Sequence, residues 1–240
     1  MARLPILMYH NVSNDIKTSK GLTIAAEKLE CHFRYLVENN FTTFHLSELE
    51  NTVSIPDKSV VITFDDVTQN QLIYAVPLLQ KYNLKATFFI PFAYIGKTDL
   101  WNNRPESLGE KIMAMDELQN LDSRVELGLH SFAHKKYANL SEKEITEDFE
   151  KCYKIIEENK LKVYPAVAYP YGNYPKNEPM KSEFIKVLGK NKVKMGLRIG
   201  NKVNSFPFKN PYEIMRIDIK GEENLLKFRL KLRFGKLKLF

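Results

Sequence analysis

Ser59-Val60-Val61-Ile62-Thr63-Phe64-Asp65-Asp66 is the stretch on which the fold turns. A short run rich in Val and Ile reads as a strand buried on both faces, the kind found in parallel sheets. Two carboxylates close it. An unpaired buried charge is strongly destabilising, so the acids belong at the strand's C-terminal mouth, facing a metal, a cation or a substrate. Asp is also an ordinary turn and N-cap residue, and on this stretch alone both readings stand.

Working outward, further apolar runs alternate with helical patterns. Leu4–Tyr9 reads as a buried strand ending at His10, and a helix capped by Thr23 is predicted from about Ile24 to Asn39. A short strand over 42–46 and a brief helix from Ser47 precede the Asp-Asp strand. After it come a helix over 70–82, a strand over 86–91, an irregular excursion over 92–105, and a mostly helical stretch over 106–121. Val125–Leu129 is a strand that ends on His130. Ser141 and Glu144 form a capping box for a helix running to about Asn159. Strands over 163–169, 194–199 and 213–219 alternate with helices over 179–190 and 222–230. Seven or eight such units predict an α/β protein with a parallel barrel. With no repeat, linker or low-complexity segment, residues 1–240 read as one domain with a basic C-terminal tail at about 222–240.

The composition narrows the class. The 240 residues are 44% hydrophobic and 12% aromatic, ample for a large core. Of the net charge of +7, six units come from Lys227, Arg229, Lys231, Arg233, Lys236 and Lys238, where no acid intervenes. The body is thus near neutral, which argues against a nucleic-acid-binding face. Cys31 and Cys152 lie in separate helical patterns and read as buried free thiols. No apolar run is long enough to span a membrane, and the start lacks the pattern of a secretory leader. These features predict a cytoplasmic protein, or one peripheral to the inner face of the membrane.

The polar exceptions fall at the ends of successive strands: His10, Asp65 and Asp66, His130 and His134, Tyr171. In a barrel those ends form one face, where active sites are built. His130-Ser131-Phe132-Ala133-His134 can aim two imidazoles at one ion across a single turn. Two His and one carboxylate leave coordination positions open, as in a catalytic metal site. Either Asp65 or Asp66 can ligate the ion, leaving the other as a general base.

Thr63-Phe64-Asp65-Asp66, His130-Ser131-x-x-His134 and Tyr169-Pro170-Tyr171-Gly172 together resemble the signatures of the polysaccharide deacetylase family, the NodB-like carbohydrate esterases of family 4. The resemblance covers about residues 4–220. It implies a distorted (β/α) barrel of about seven units that hydrolyses N-acetyl or O-acetyl groups on sugars with a divalent metal, most commonly Zn2+. It implies that Asp66, His130 and His134 hold the metal, that Asp65 is the base, and that the Tyr171 backbone N–H stabilises the oxyanion.

The general acid is less direct. No histidine follows His134, whereas many members carry one near the C-terminus. Leu7-Met8-Tyr9-His10-Asn11-Val12 instead resembles the permuted branch that includes the poly-N-acetylglucosamine deacetylases, which implies His10 as the acid. A buried or capping His is the plain alternative. Two further residues depart from the pattern. Val67 replaces the usual Gly, and Ala168 replaces the Arg that pairs with the base. Arg216 is the candidate substitute, unless it is an ordinary surface residue at a strand end.

The resulting expectation is a hydrolase that deacetylates a glycan, or a lipid-linked or nucleotide-linked sugar. Its rivals are a hydrolase of formyl or cyclic ureide amides and a family member that binds carbohydrate without catalysis. The expected partner is an acetylated carbohydrate and no nucleic acid. The basic tail, whose alternation suits either a strand or a helix, is a candidate contact with an anionic membrane. His32, expected on a helix facing solvent or a neighbour, and His45, in a short strand before a helix, receive no role. Trp101 and Tyr94 read either as sugar-stacking residues or as loop packing.

Overall fold

The computed structural model describes residues 1–102 and 109–236. Seven parallel strands close into a barrel: β1 (Ile6–Tyr9), β2 (Ser59–Asp65), β3 (Ala86–Ile90), β4 (Val125–Leu129), β5 (Val163–Ala168), β6 (Met195–Ile199) and β7 (Ile214–Asp218). The ring follows chain order. Its seam lies between the last strand and the first, with Ile217 beside Leu7 and Asp218 beside Met8. Thr42–Thr43 adds a short parallel strand outside β2.

Side chains alternate across each strand, so the barrel has two cores. Ile6, Val61, Phe89, Ala166 and Leu197 turn inward and fill the interior. Gly128 faces Phe89, and a Cβ there would lie 2.7 Å from its ring, so the interior is packed to the backbone. Leu46 and Leu49 of the one-turn helix α2 (Leu46–Leu49) belong to the same inner cluster. Leu7, Ile62, Phe88, Leu129 and Val167 turn outward against the helices.

Those helices are α1 (Ala26–Glu38), α3 (Val76–Tyr82), α5 (Glu142–Glu158), α6 (Met180–Lys190) and α7 (Leu225–Phe234), with the short α4 (Met115–Gln119) between β3 and β4. Their buried residues follow helical spacing, as in Leu29, His32, Phe33 and Leu36 of α1. Ser141 accepts from the Glu144 amide and caps α5 as its sequence requires. No helix among the described residues is long and apolar enough to cross a membrane.

Two local expectations change, and two open alternatives are resolved. Thr23 does not cap α1, because Thr23–Ala25 pairs in parallel with Asn11–Ser13 and delays the helix to Ala26. The stretch expected to be mostly helical over 106–121 has, among its described residues, α-helix only at Met115–Gln119, and its first three residues lie outside the described ones. Of the two settings open to His32, it faces a neighbour and not solvent. It is 2% exposed, stacked on Phe228 at 3.8 Å and 3.2 Å from the Tyr9 hydroxyl. The basic tail, as far as Lys236, is mainly a helix, with Phe228, Lys231 and Leu232 turned into the protein. Both cysteines are free, Cys152 buried and Cys31 partly so.

Candidate active site

The alternation that fills the barrel also builds its mouth. On β2, Val61, Thr63 and Asp65 share the inward face; on β7, Ile214, Arg216 and Asp218 share theirs. The deepest members, Val61 and Ile214, are apolar, and the last, Asp65 and Asp218, are charged. Arg216, fully buried, reaches past β1 and donates from both Nη atoms to the Asp65 carboxylate, with Nη2 to Oδ2 at 2.8 Å. Its guanidinium also lies 5.4 Å from the centre of the Phe89 ring. Such a fork–fork pair fixes the carboxylate's plane as well as its charge. Burial raises the Asp65 pKa, but Arg216, His130 and His10 outweigh it and hold the carboxyl well below the ordinary range.

Asp66 leaves the strand with φ +75° and Val67 follows at +43°, both in the left-handed region. A β-branched residue is strained there, where Gly is at ease, which accounts for the Gly of the resemblance. Val67 does not narrow the mouth, because its side chain is fully buried in the outer core. Ala168 is buried as well, and its carbonyl accepts from His130 Nδ1 at 2.7 Å. The Nδ1–H bond leaves His130 Nε2 with its lone pair toward the mouth.

Residues 131–134 form an irregular turn, with Ser131 and His134 at positive φ. It brings His134 Nε2 to 3.2 Å from His130 Nε2, and each lies 3.5 Å from Asp66 Oδ1. Asp66 Oδ1 is buried and has no hydrogen-bond partner among the described residues. A tetrahedral ion with bonds of about 2.0–2.1 Å holds its donors about 3.3 Å apart. The three atoms therefore fit a divalent cation such as zinc, with one orphaned oxygen aimed at it. Burial, with Asp65 and Asp99 nearby, pushes the Asp66 carboxyl above its ordinary range, a shift that an adjacent cation reverses. Burial lowers both imidazoles, His134 to about 2, which keeps them neutral as ligands must be.

His10 faces the same mouth, with Nε2 3.5 Å from Asp65 Oδ2. Burial lowers its pKa to about 4 despite Asp65. Tyr171, at φ +58°, packs edge-on to His134 at 4.8 Å. All seven residues singled out in the sequence thus border one pocket of about 540 Å³. The sequence did not single out Asp99, Glu110, Asp218 or Lys220, which also line it. The period-two spacing of Arg216 and Asp218 was the available signal for one of them. Trp101 stacks on His134 at 4.4 Å, and Tyr94 packs against Trp101. Gln71 sits beneath the mouth, fully buried, and its Nε2 donates to the backbone carbonyls of His10 at 3.0 Å and Asp65 at 2.6 Å.

A parallel barrel with a two-His, one-Asp cluster at its C-terminal mouth, beside an arginine-clamped carboxylate, has the architecture of an α/β-barrel hydrolase. The model of the polysaccharide deacetylase family matches residues 52–196, well over half of the chain. The chain belongs to the polysaccharide deacetylase family. It is 28% identical over 220 residues to the poly-beta-1,6-N-acetyl-D-glucosamine N-deacetylase of Staphylococcus aureus, covering 88% of this chain and 73% of that one. It is 27% identical over 202 residues to YxkH of Bacillus subtilis, which carries the same family name, covering 82% of this chain and only 64% of that one. Among solved structures, it superposes on the Streptococcus pyogenes deacetylase PplD, determined with acetate, with a TM-score of 0.76 at 18% identity over 96% of this chain and 98% of the other. IcaB from Ammonifex degensii gives 0.73 at 19% identity, over 92% and 93%. At such identities the superpositions establish the shared barrel, in agreement with the NodB-like fold read from the sequence.

Proposed function

We propose that this chain is a divalent-metal-dependent deacetylase that hydrolyses N-acetyl groups on a glycan of the N-acetylglucosamine type. The observation that carries the reading is the clustering of Asp66, His130 and His134 at tetrahedral spacing within reach of the Asp65–His10 pair. Asp66, His130 and His134 would hold the ion, and zinc suits this donor set best. When bound, it supplies a Lewis acid beside the reacting carbonyl.

The remaining work falls to the protein. Asp65 Oδ2 takes a proton from the attacking water, whose oxygen bonds to the acetyl carbon. Arg216 keeps Asp65 ionised and oriented for that transfer. The backbone N–H of Tyr171 stabilises charge on the carbonyl oxygen. The C–N bond then breaks and the leaving amine takes a proton from His10 Nε2. His10 starts neutral, so the proton received by Asp65 passes across the 3.5 Å between Oδ2 and Nε2. Acetate and a free amine leave. The name of the S. aureus relative supports the choice of glycan. The non-catalytic reading rested on Val67 and Ala168, and the burial of one and the Arg216–Asp65 pair weigh against it.

Acetate, formate and ammonia release from N-acetylglucosamine oligomers, a formamide and a cyclic ureide tests the proposal, with chelation followed by zinc addition. Zinc-restored acetate release from the oligomers alone, lost in Asp65→Asn, is the expected result. A zinc-loaded wild type no faster than Asp65→Asn refutes it.

A further inference from the structure

A helix on a barrel needs one apolar stripe, to face the body. Helix α7 has two. Phe228 and Leu232 turn inward, where Phe228 stacks on His32 of α1. Leu226, Leu230 and Phe234 recur every four residues on another face and stay 61%, 36% and 48% exposed. A groove of about 500 Å³ runs beside this second stripe, with Tyr35 and Phe41 in its wall. Arg3, Lys58, Arg229 and Arg233 also line it, against one acid, Asp57. Among the described residues none of these four cations has a carboxylate within ion-pair distance. Arg229 lies instead over the Tyr35 ring and Arg233 over the Phe234 ring. Uncovered leucines flanked by arginines, on a helix held in place by its other face, form an interfacial surface for a negatively charged amphiphile.

We infer that α7 and its groove dock this protein onto an anionic lipid bilayer. The charge of the groove selects the partner. Four cations against one anion favour anionic headgroups, while the exposed apolar row suits the acyl boundary beneath them. The groove also fixes an orientation. In its wall Pro5 immediately precedes β1 and Ser59 begins β2, whereas Asp65 ends β2 six residues further on. At about 3.3 Å per residue the catalytic mouth lies about 20 Å from the docked end. The deacetylation pocket therefore opens away from the bilayer, toward glycan in the aqueous phase.

Sedimentation with phosphatidylcholine vesicles, with and without phosphatidylglycerol, tests this on the full chain. The expected result is binding to the anionic vesicles alone, released by high salt. Arg229→Glu with Arg233→Glu lowers that binding about a hundredfold or more, and Leu226→Ser with Leu230→Ser about tenfold or more. Both variants replace exposed side chains that do not line the catalytic pocket, so acetate release from soluble oligomers stays at the wild-type rate. That control separates failure of docking from failure of the deacetylase reading. Equal binding to both vesicle types, or to neither, overturns the inference. So does a dimer in light scattering that the leucine variant dissolves, since a second copy then covers the stripe.

Discussion

Replacing Arg216 with Met removes one partner of a buried ion pair and leaves the other. Asp65 is 2% exposed and Arg216 not at all. With charge centres about 4 Å apart and an effective dielectric near 20, their attraction is worth about 4 kcal/mol. That agrees with the roughly 3–5 kcal/mol lost when a buried pair is broken on one side. For a domain of this size the melting temperature should fall by about 10 °C. Lys is no remedy, because it cannot form the planar fork that meets both Asp65 oxygens. The decisive arm is Arg216→Met combined with Asp65→Asn. If the cost comes from a stranded carboxylate, neutralising that carboxylate recovers about 2 kcal/mol or more of the loss. Urea unfolding of the four proteins of this cycle, in chelator so that no metal contributes, measures the coupling directly. A single variant costing less than about 1 kcal/mol, or a double variant as unstable as the sum of the singles, refutes the assignment of Arg216 as the clamp on Asp65.

Three further outcomes follow from buried partners. Burial lowers the His32 pKa to about 3, so the unfolded chain binds the extra proton. Its contribution is complete above about pH 6.5 and is lost as pH falls toward 3; between about pH 7.5 and 5 wild type should lose roughly 2 kcal/mol more than His32→Phe in urea titrations. Gln71→Leu strands the carbonyls of His10 and Asp65, and a calorimetric melting point lowered by about 5 °C is expected, with an unchanged value counting against the bridge. Trp101→Ala removes the ring that fixes His134, so competition with a zinc-binding dye should show about tenfold weaker metal affinity.

The barrel was legible because its strands are short continuous apolar runs, and this pattern survives without knowledge of neighbours. The clustering of Asp66, His130 and His134 was legible for a related reason: Asp66 follows a strand end, and the two histidines are four residues apart, so local spacing carries most of the geometry. What the sequence hid is what distance in the chain hides. The surroundings of His32 depend on Phe228, nearly two hundred positions later. The end of α1 that should have begun at Thr23 is taken by pairing with Asn11–Ser13, a tertiary contact that outbids local capping. Gln71 gave no sign of its role, since its partners are the backbones of two separate strands. In α7, the alternating charge suited a strand and the spacing of Leu225, Phe228 and Leu232 a helix, and the packing of Phe228 and Leu232 selected the helix.

The seam between β7 and β1 has a consequence for synthesis. His10 leaves the ribosome well before Arg216, yet both flank Asp65 in the finished ring. Until β7 inserts, the barrel is an open sheet with two unpaired edges and an uncompensated carboxylate at its mouth. The final strand therefore closes the hydrogen-bonded ring and neutralises that charge in one event. Closure of the barrel and assembly of the Arg216–Asp65 pair are the same step, so a chain released before residue 216 acquires neither.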